Sequence, residues 1–331
     1  MAAVQKGAIF PAEGGAEKGI LDFTKWALSQ GVFDAVLIPA RVPAGDSFSY
    51  LLIQDESLLR DASPLPPIMP VQGARAISSV TKRGKGKKKI AAIIRPCEAM
   101  ATIELTKLKQ ADLENIILIT VDCPGVLPLA DYFKSPEKGD EVFKDACEKW
   151  NNESARPVCR ICDRFSATGG EDLHIGTLGV KSGSILLIPG SAKGENVLDR
   201  LGILLEEDVS GWEDSVNKLA KERKKERDQA NDALRIDIEG INRLVETFST
   251  CINCHNCMRV CPICYCRQCN FDSDKMKYSF EDYITRAEAR GVLIVPTDTM
   301  LFHIGRMLHM SLSCVSCGMC EDVCPMDIPV A

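Results

Sequence analysis

A chain of 331 residues, 45% hydrophobic and with a formal net charge of -6, can bury a substantial core and, at about 150 residues per domain, form two domains. Its mild acidity argues against nucleic acid as the main partner, and no apolar run reaches the roughly 18 residues a membrane span needs. Sixteen cysteines in a chain of this size do not read as the disulfide framework of a small secreted domain, so metal binding is the reading they favour.

The amino-terminal stretch MAAVQKGAIFPAEGG has no charged segment followed by an apolar one; no export signal is expected, and a soluble cytoplasmic protein is. Four short runs rich in Ile, Val and Leu follow: DAVLIPA, SYLLIQD, KKIAAIIRP and NIILITVD. They carry strand signals, and helix-like segments such as EAMATIELTKLKQ come after several of them, which argues for an α/β core. The run TKRGKGKKK from Thr81 to Lys89 reads as a solvated loop, the alternative being a patch that attracts a phosphate-bearing cofactor or an acidic partner. Cys97 and Cys123 each fall just past the carboxyl end of a predicted strand, the usual place for sites in open α/β sheets. RPVCRICDRF adds Cys159 and Cys162 at CxxC spacing. These four thiols either converge on one edge as the ligands of a 4Fe-4S cluster, or Cys97 and Cys123 are buried apolar thiols.

The charged stretch from Trp212 to Phe248 predicts one or two helices and an inter-domain connector, with the domain boundary near residue 230 (1–230 and 231–331). Beyond it, Cys251, Cys254, Cys257 and Cys261 with Pro262 make the run CxxCxxCxxxCP, which recurs as Cys314, Cys317, Cys320 and Cys324 with Pro325. This is the two-cluster ferredoxin pattern, in which the fourth cysteine of each run serves the other cluster. Cys251, Cys254, Cys257 and Cys324 are thus expected to hold one 4Fe-4S cluster, and Cys314, Cys317, Cys320 and Cys261 the second. Zinc is the alternative, disfavoured by two full copies that both end in Cys-Pro. Between the runs, YSFEDYITRAEARG and TDTMLFHIGRMLHMS show helical spacing, the latter with Met300, Ile304, Met307 and Leu308 on one face. An α-helical ferredoxin domain is expected, with His303 and His309 packing rather than ligating and His255 placed to donate a hydrogen bond to a cluster. Cys147, Cys264, Cys266 and Cys269 remain, either as ligands of a further cluster or zinc ion or as thiols that pack without ligating.

The segments RPCEAMATIEL, VDCPG and CRICDRFSATGGEDLHIGTLG together resemble the landmarks of the beta-subunit family shared by coenzyme F420-reducing hydrogenases and formate dehydrogenases. The resemblance covers most of residues 10 to 200, and the dicluster run behind it is similar to the formate dehydrogenase branch. It implies that Cys97, Cys123, Cys159 and Cys162 ligate one 4Fe-4S cluster beside a bound FAD, for three clusters in all. No independent flavin fingerprint such as GxGxxG is present, so FAD rests on the resemblance. Gly14 and Gly15 in PAEGGAEKG, and Ser79 and Thr81 in GARAISSVTKRG, match stretches near the flavin. Arg95 and Glu98, flanking Pro96 and Cys97, are the nearest cofactor-contact candidates, with a helix N-terminal charge as the alternative role of Glu98. The expected protein is an oxidoreductase subunit joining a hydride carrier, such as coenzyme F420 or NAD(P)H, to partners of the formate dehydrogenase, hydrogenase or heterodisulfide reductase type. Its rivals are a flavin-free electron wire and a zinc-bound scaffold.

Overall fold

The four apolar runs form strands in the computed structural model, which describes residues 6–274, 279–291 and 297–331. β1 (Lys6–Pro11) leads into α1 (Ala16–Ser29), and β2 (Ala35–Arg41) pairs antiparallel with β3 (Phe48–Ile53). Then come α2 (Gly73–Thr81), β4 (Ile90–Ile94), α3 (Pro96–Lys107) and β5 (Ile116–Val121). Every residue of β4 and β5 is buried, which is why they read as unbroken apolar runs rather than as alternation. α4 (Leu129–Tyr132), α5 (Pro136–Lys149) and α6 (Pro157–Arg160) precede β6 (Leu173–Gly176), β7 (Ser184–Pro189), α7 (Ala192–Arg200) and β8 (Glu207–Asp208).

The strands make one mixed sheet in the order β3-β2-β4-β5-β6-β7-β1-β8. Strands β2, β4, β5 and β6 run parallel, so their carboxyl ends share one edge, while β7 runs against both β6 and β1. On one face Phe23 of α1 and Leu198 of α7 pack with Val36, Ile93, Ile119 and Leu187. On the other, Ile77 of α2 and Ala99 of α3 pack with Leu37, Ala92 and Leu118. Each large aliphatic side chain taken from water contributes about 1.5–3 kcal/mol, so the sheet is held from both sides. The Lys82–Lys89 segment is exposed, with Lys85 paired to Glu114 at 2.8 Å.

α8 (Ser210–Asp237) is a single helix of 28 residues, so the charged connector read from the sequence is helical and residue 230 falls within it. Only Trp212 and Arg223 are buried along it, in keeping with its charged sequence. α9 (Ile241–Thr247), α10 (Asn256–Val260), α11 (Phe280–Arg290), α12 (Thr297–Met310) and α13 (Met319–Asp322) follow, and α10 packs on α13. The helix expected here forms, but Ile304, Met307 and Leu308 of its apolar face are 38%, 42% and 73% exposed, whereas Phe302, His303 and Arg306 are buried. The reason is that the interior of this half is built around sulfur, so the inward side of α12 carries polar groups that meet thiols. Among the described residues no helix is long and apolar enough to cross a membrane.

Candidate metal centres

The turn after β4 sets the first thiol. Arg95 is the N-cap of α3 and Pro96 opens it, a position where proline loses no hydrogen bond, so Cys97 sits in the first turn facing the sheet edge. Cys123 follows β5, and α6 carries Cys159 with Cys162 just beyond. Cys97, Cys123, Cys159 and Cys162 line one small cavity together with Arg95, Arg156, Arg223 and, from the other half of the chain, Cys317. Gly125 (φ 121°) permits this closeness, since a Cβ there would stand 3.1 Å from that of Cys159.

The thiols crowd one another. Burial pushes Cys97 well above the ordinary thiol value, and Glu98, Cys317, Cys123 and Cys162 add to it. Burial likewise lifts Cys162 to about 11, reinforced by Cys159, and raises Cys123 against the pull of Arg95. Four thiolates in so little water need a positive body among them. Arg95 and Arg223 are 2% and 3% exposed, yet among the described residues Arg95 Nε and Arg223 Nε and Nη2 have no hydrogen-bond partner. Buried donors left unspent around a cysteine-lined cavity fit an anionic, sulfide-bearing group.

Two carboxylates hold this edge in place. Asp122, which neither spacing nor motif singled out, accepts from His174 Nε2 at 2.9 Å and from Ser166 Oγ at one oxygen. Its other oxygen accepts from Thr177 N at 2.7 Å, Leu178 N at 3.1 Å and Trp212 Nε1 at 2.9 Å. Burial disfavours its charge, but His174, Ser166 and Thr177 outweigh burial and hold the carboxyl below the usual range. Glu98 is fully committed too: it accepts from Gly73 N at 2.6 Å, Tyr50 Oη at 2.8 Å and Arg95 N at 2.8 Å. It performs the helix N-terminal role weighed above, tying α3 to α2.

The remaining flavin candidates separate in space. Thr81 is buried and donates to the Ile77 carbonyl, and with Ser79 it lines a groove of about 1000 Å³ that Gly14 and Gly15 do not reach. Gly14 and Gly15 form the β1–α1 turn at φ 97° and 106°.

In the carboxyl-terminal half the two cysteine runs fold alike. Asn253 and His255 in the first, and Ser316 and Gly318 at the same places in the second, have positive φ, and these turns aim backbone amides at sulfur. Asn253 N is 3.4 Å from Cys251 Sγ, and Ser316 N is 3.4 Å from Cys314 Sγ. Each fourth cysteine lies close to thiols of the other run. Cys324 lies near enough to Cys251 to raise it, after burial and Cys254, while Cys261 acts on both Cys317 and Cys320. Burial lifts Cys317 to about 12 and Cys257 to about 11. Arg306 sits among Cys320, Cys257 and Cys261, with a buried Nε that has no partner.

Two histidines sit beside the Cys251 loop. His255 Nε2 lies 3.0 Å from Asn253 Oδ1 and its ring stacks on Phe302 at 4.3 Å. It is His303 whose Nε2 lies 3.3 Å from Cys251 Sγ, its ring stacked on Phe248 at 4.0 Å. Burial drives His303 down to about 4, which favours its neutral ring beside the sulfur. His309 is exposed. Of the four extra cysteines, Cys264 lies against Cys261, its thiol raised and that of Cys261 lowered by their hydrogen bond, and 3.5 Å from Met310 Sδ. Cys269 lies 3.6 Å from Met258 Sδ, Cys266 is exposed, and Cys147 on α5 is outside the four-cysteine cavity. Among the described residues no three His, Cys, Asp or Glu side chains close around a single ion.

Comparison with known proteins agrees with this geometry. Residues 247–328 match the profile of the 4Fe-4S dicluster domain. The chain is 28% identical to the F420-dependent formate dehydrogenase subunit beta of Methanocaldococcus jannaschii, over 74% of this chain and 69% of that one. It is 27% identical to the F420-dependent formate dehydrogenase 1 subunit beta of Methanococcus maripaludis, over 93% and 84%. A chain of the F420-reducing NiFe hydrogenase complex of Methanosarcina barkeri shares the fold, with TM-score 0.52 and 14% identity over 72% of this chain and 94% of its own. The resemblance read from the segments around Cys97, Cys123 and Cys159 stands.

Proposed function

We propose that this iron–sulfur chain is the electron-transfer subunit of a cytoplasmic oxidoreductase complex of the formate dehydrogenase, hydrogenase or heterodisulfide reductase type. It links a hydride carrier, coenzyme F420 before NAD(P)H, to its partner subunits. The observation that carries this reading is the convergence of Cys97, Cys123, Cys159 and Cys162 on a cavity that Cys317 of the dicluster half also lines. On this reading those four hold one 4Fe-4S cluster, Cys251, Cys254, Cys257 and Cys324 a second, and Cys314, Cys317, Cys320 and Cys261 a third. Coenzyme F420 enters from the names of the two formate dehydrogenase relatives.

A hydride brings two electrons and a cluster takes one, so FAD supplies the conversion when bound. The residues that suit it are Gly14 and Gly15: a Cβ on Gly15 would meet nothing within 4 Å, leaving the N-terminus of α1 open to a pyrophosphate. The chain's own contribution is arrangement. Asp122 and Glu98 fix the loops that present Cys123 and Cys97, buried apolar walls exclude water, and Arg95 and Arg223 offset thiolate charge. A flavin-free wire is the second reading, favoured by one observation: Glu98, Ser79 and Thr81 do not join Gly14 and Gly15 around a common cavity.

Iron and acid-released flavin per chain on anaerobically purified protein decide between them. About twelve irons with one flavin, and a spectrum bleached by reduced F420, are expected. About eight irons without flavin would leave the α/β half a docking platform.

A further inference from the structure

Among the side chains at which the two halves of the chain meet is one that the sequence reading gave no role. Arg156 is 3% exposed. Its Nε lies 3.2 Å from Cys159 Sγ, its Nη2 donates to the Cys317 carbonyl, and its Nη1 pairs with Asp322 at 3.4 Å. Asp322 in turn accepts from Leu129 N at 3.1 Å. Every nitrogen of this guanidinium is used, unlike those of Arg95 and Arg223. The surroundings are close-fitting, since a Cβ on Gly318 would stand 3.0 Å from that of Val158.

A buried ion pair is a weak source of stability, because desolvation offsets the attraction. Its position therefore asks for another account. A guanidinium offers a permanent charge and donors fixed in one plane, and here that plane spans a thiol of one centre and the peptide at a thiol of another.

We propose that Arg156 is a positioning residue for electron transfer between the Cys97/Cys123/Cys159/Cys162 centre and the Cys314/Cys317/Cys320/Cys261 centre, fixing their approach and raising the potential of the first. This rests on reading those cysteines as cluster ligands. One electron passing between the centres oxidises one and reduces the other by a single unit; no proton is required, and a guanidinium does not give one up. A fixed positive charge favours the more negative, reduced state of its neighbour, and Asp322 tempers that effect.

The test is an EPR-monitored redox titration of the anaerobic full-length protein, with iron counted in every sample, for the wild type and for Arg156→Lys, Arg156→Met and Asp322→Asn. At unchanged iron, Arg156→Met is expected to lower the midpoint potential of the Cys159 centre and Asp322→Asn to raise it. Arg156→Lys, which keeps charge without the fork, should hold the potential near wild type while weakening the magnetic coupling between the two centres. Identical potentials in all four proteins would overturn the proposal. If Arg156→Met loses iron, Asp322→Asn decides, and the absence of an upward shift there overturns it. A wild type with no signal from the Cys159 centre would instead remove the ligand reading beneath it.

Discussion

At the scale of single residues, Asp122 and Arg156 each tie together segments far apart in the chain. The thiols announce themselves by spacing, because one loop must present three of them. Asp122 and Arg156 carry no such mark: the donors of Asp122 are Ser166, His174, Thr177, Leu178 and Trp212, and Arg156 meets Cys317 and Asp322, all brought near only by folding. Asp122→Asn would keep the shape but replace an acceptor oxygen with an amine facing donors. Loss of a buried charge from such a network costs about 3 kcal/mol, so the thermal midpoint should fall by roughly 6 °C or more. Differential scanning calorimetry of the iron-replete protein checks this, and an unchanged midpoint would mean the network does not hold the β5 edge. Cys147, by contrast, stood out in the sequence only as a cysteine, and on α5 it is a half-buried thiol packed at the border of the apolar core.

At the scale of elements, β2, β3, β4 and β5 were legible, whereas β1, β6, β7 and β8 were not singled out. β6 has only four residues and β8 two, too short for a periodic signal. α12 was legible as a helix, but not which side faces inward, because that side meets sulfur rather than aliphatic groups. The crossing of the fourth cysteines makes a sharp prediction at this scale. Cys257→Ala and Cys324→Ala should abolish or alter the same EPR signal, and Cys317→Ala and Cys261→Ala the other, although Cys257 and Cys261 share a helical turn. Pairing by sequence neighbourhood in these spectra would contradict the crossed assignment.

At the scale of the whole molecule the two halves differ in what holds them. The sheet has aliphatic cores on both faces, while the cluster around α10 and α12 consists of Cys257, Met258 and Phe302 with further thiols at its border. A half with so little apolar interior depends on its metal for folding free energy. Removing iron with a chelator is therefore expected to leave the strand content of the far-ultraviolet spectrum intact while residues beyond about 240 become open to trypsin. Equal protection of both halves after iron loss would show that the ferredoxin half folds on packing alone.

The crossed cysteines also bear on how the protein is made. On the proposed ligand set, neither dicluster site can be completed from its own loop: the Cys251 loop waits for Cys324, and the Cys314 loop borrows Cys261 from a segment synthesised long before. Cluster insertion then becomes a late and concerted event of biogenesis, and a ribosome-bound intermediate ending before Cys324 would hold at most an incomplete, oxygen-vulnerable site.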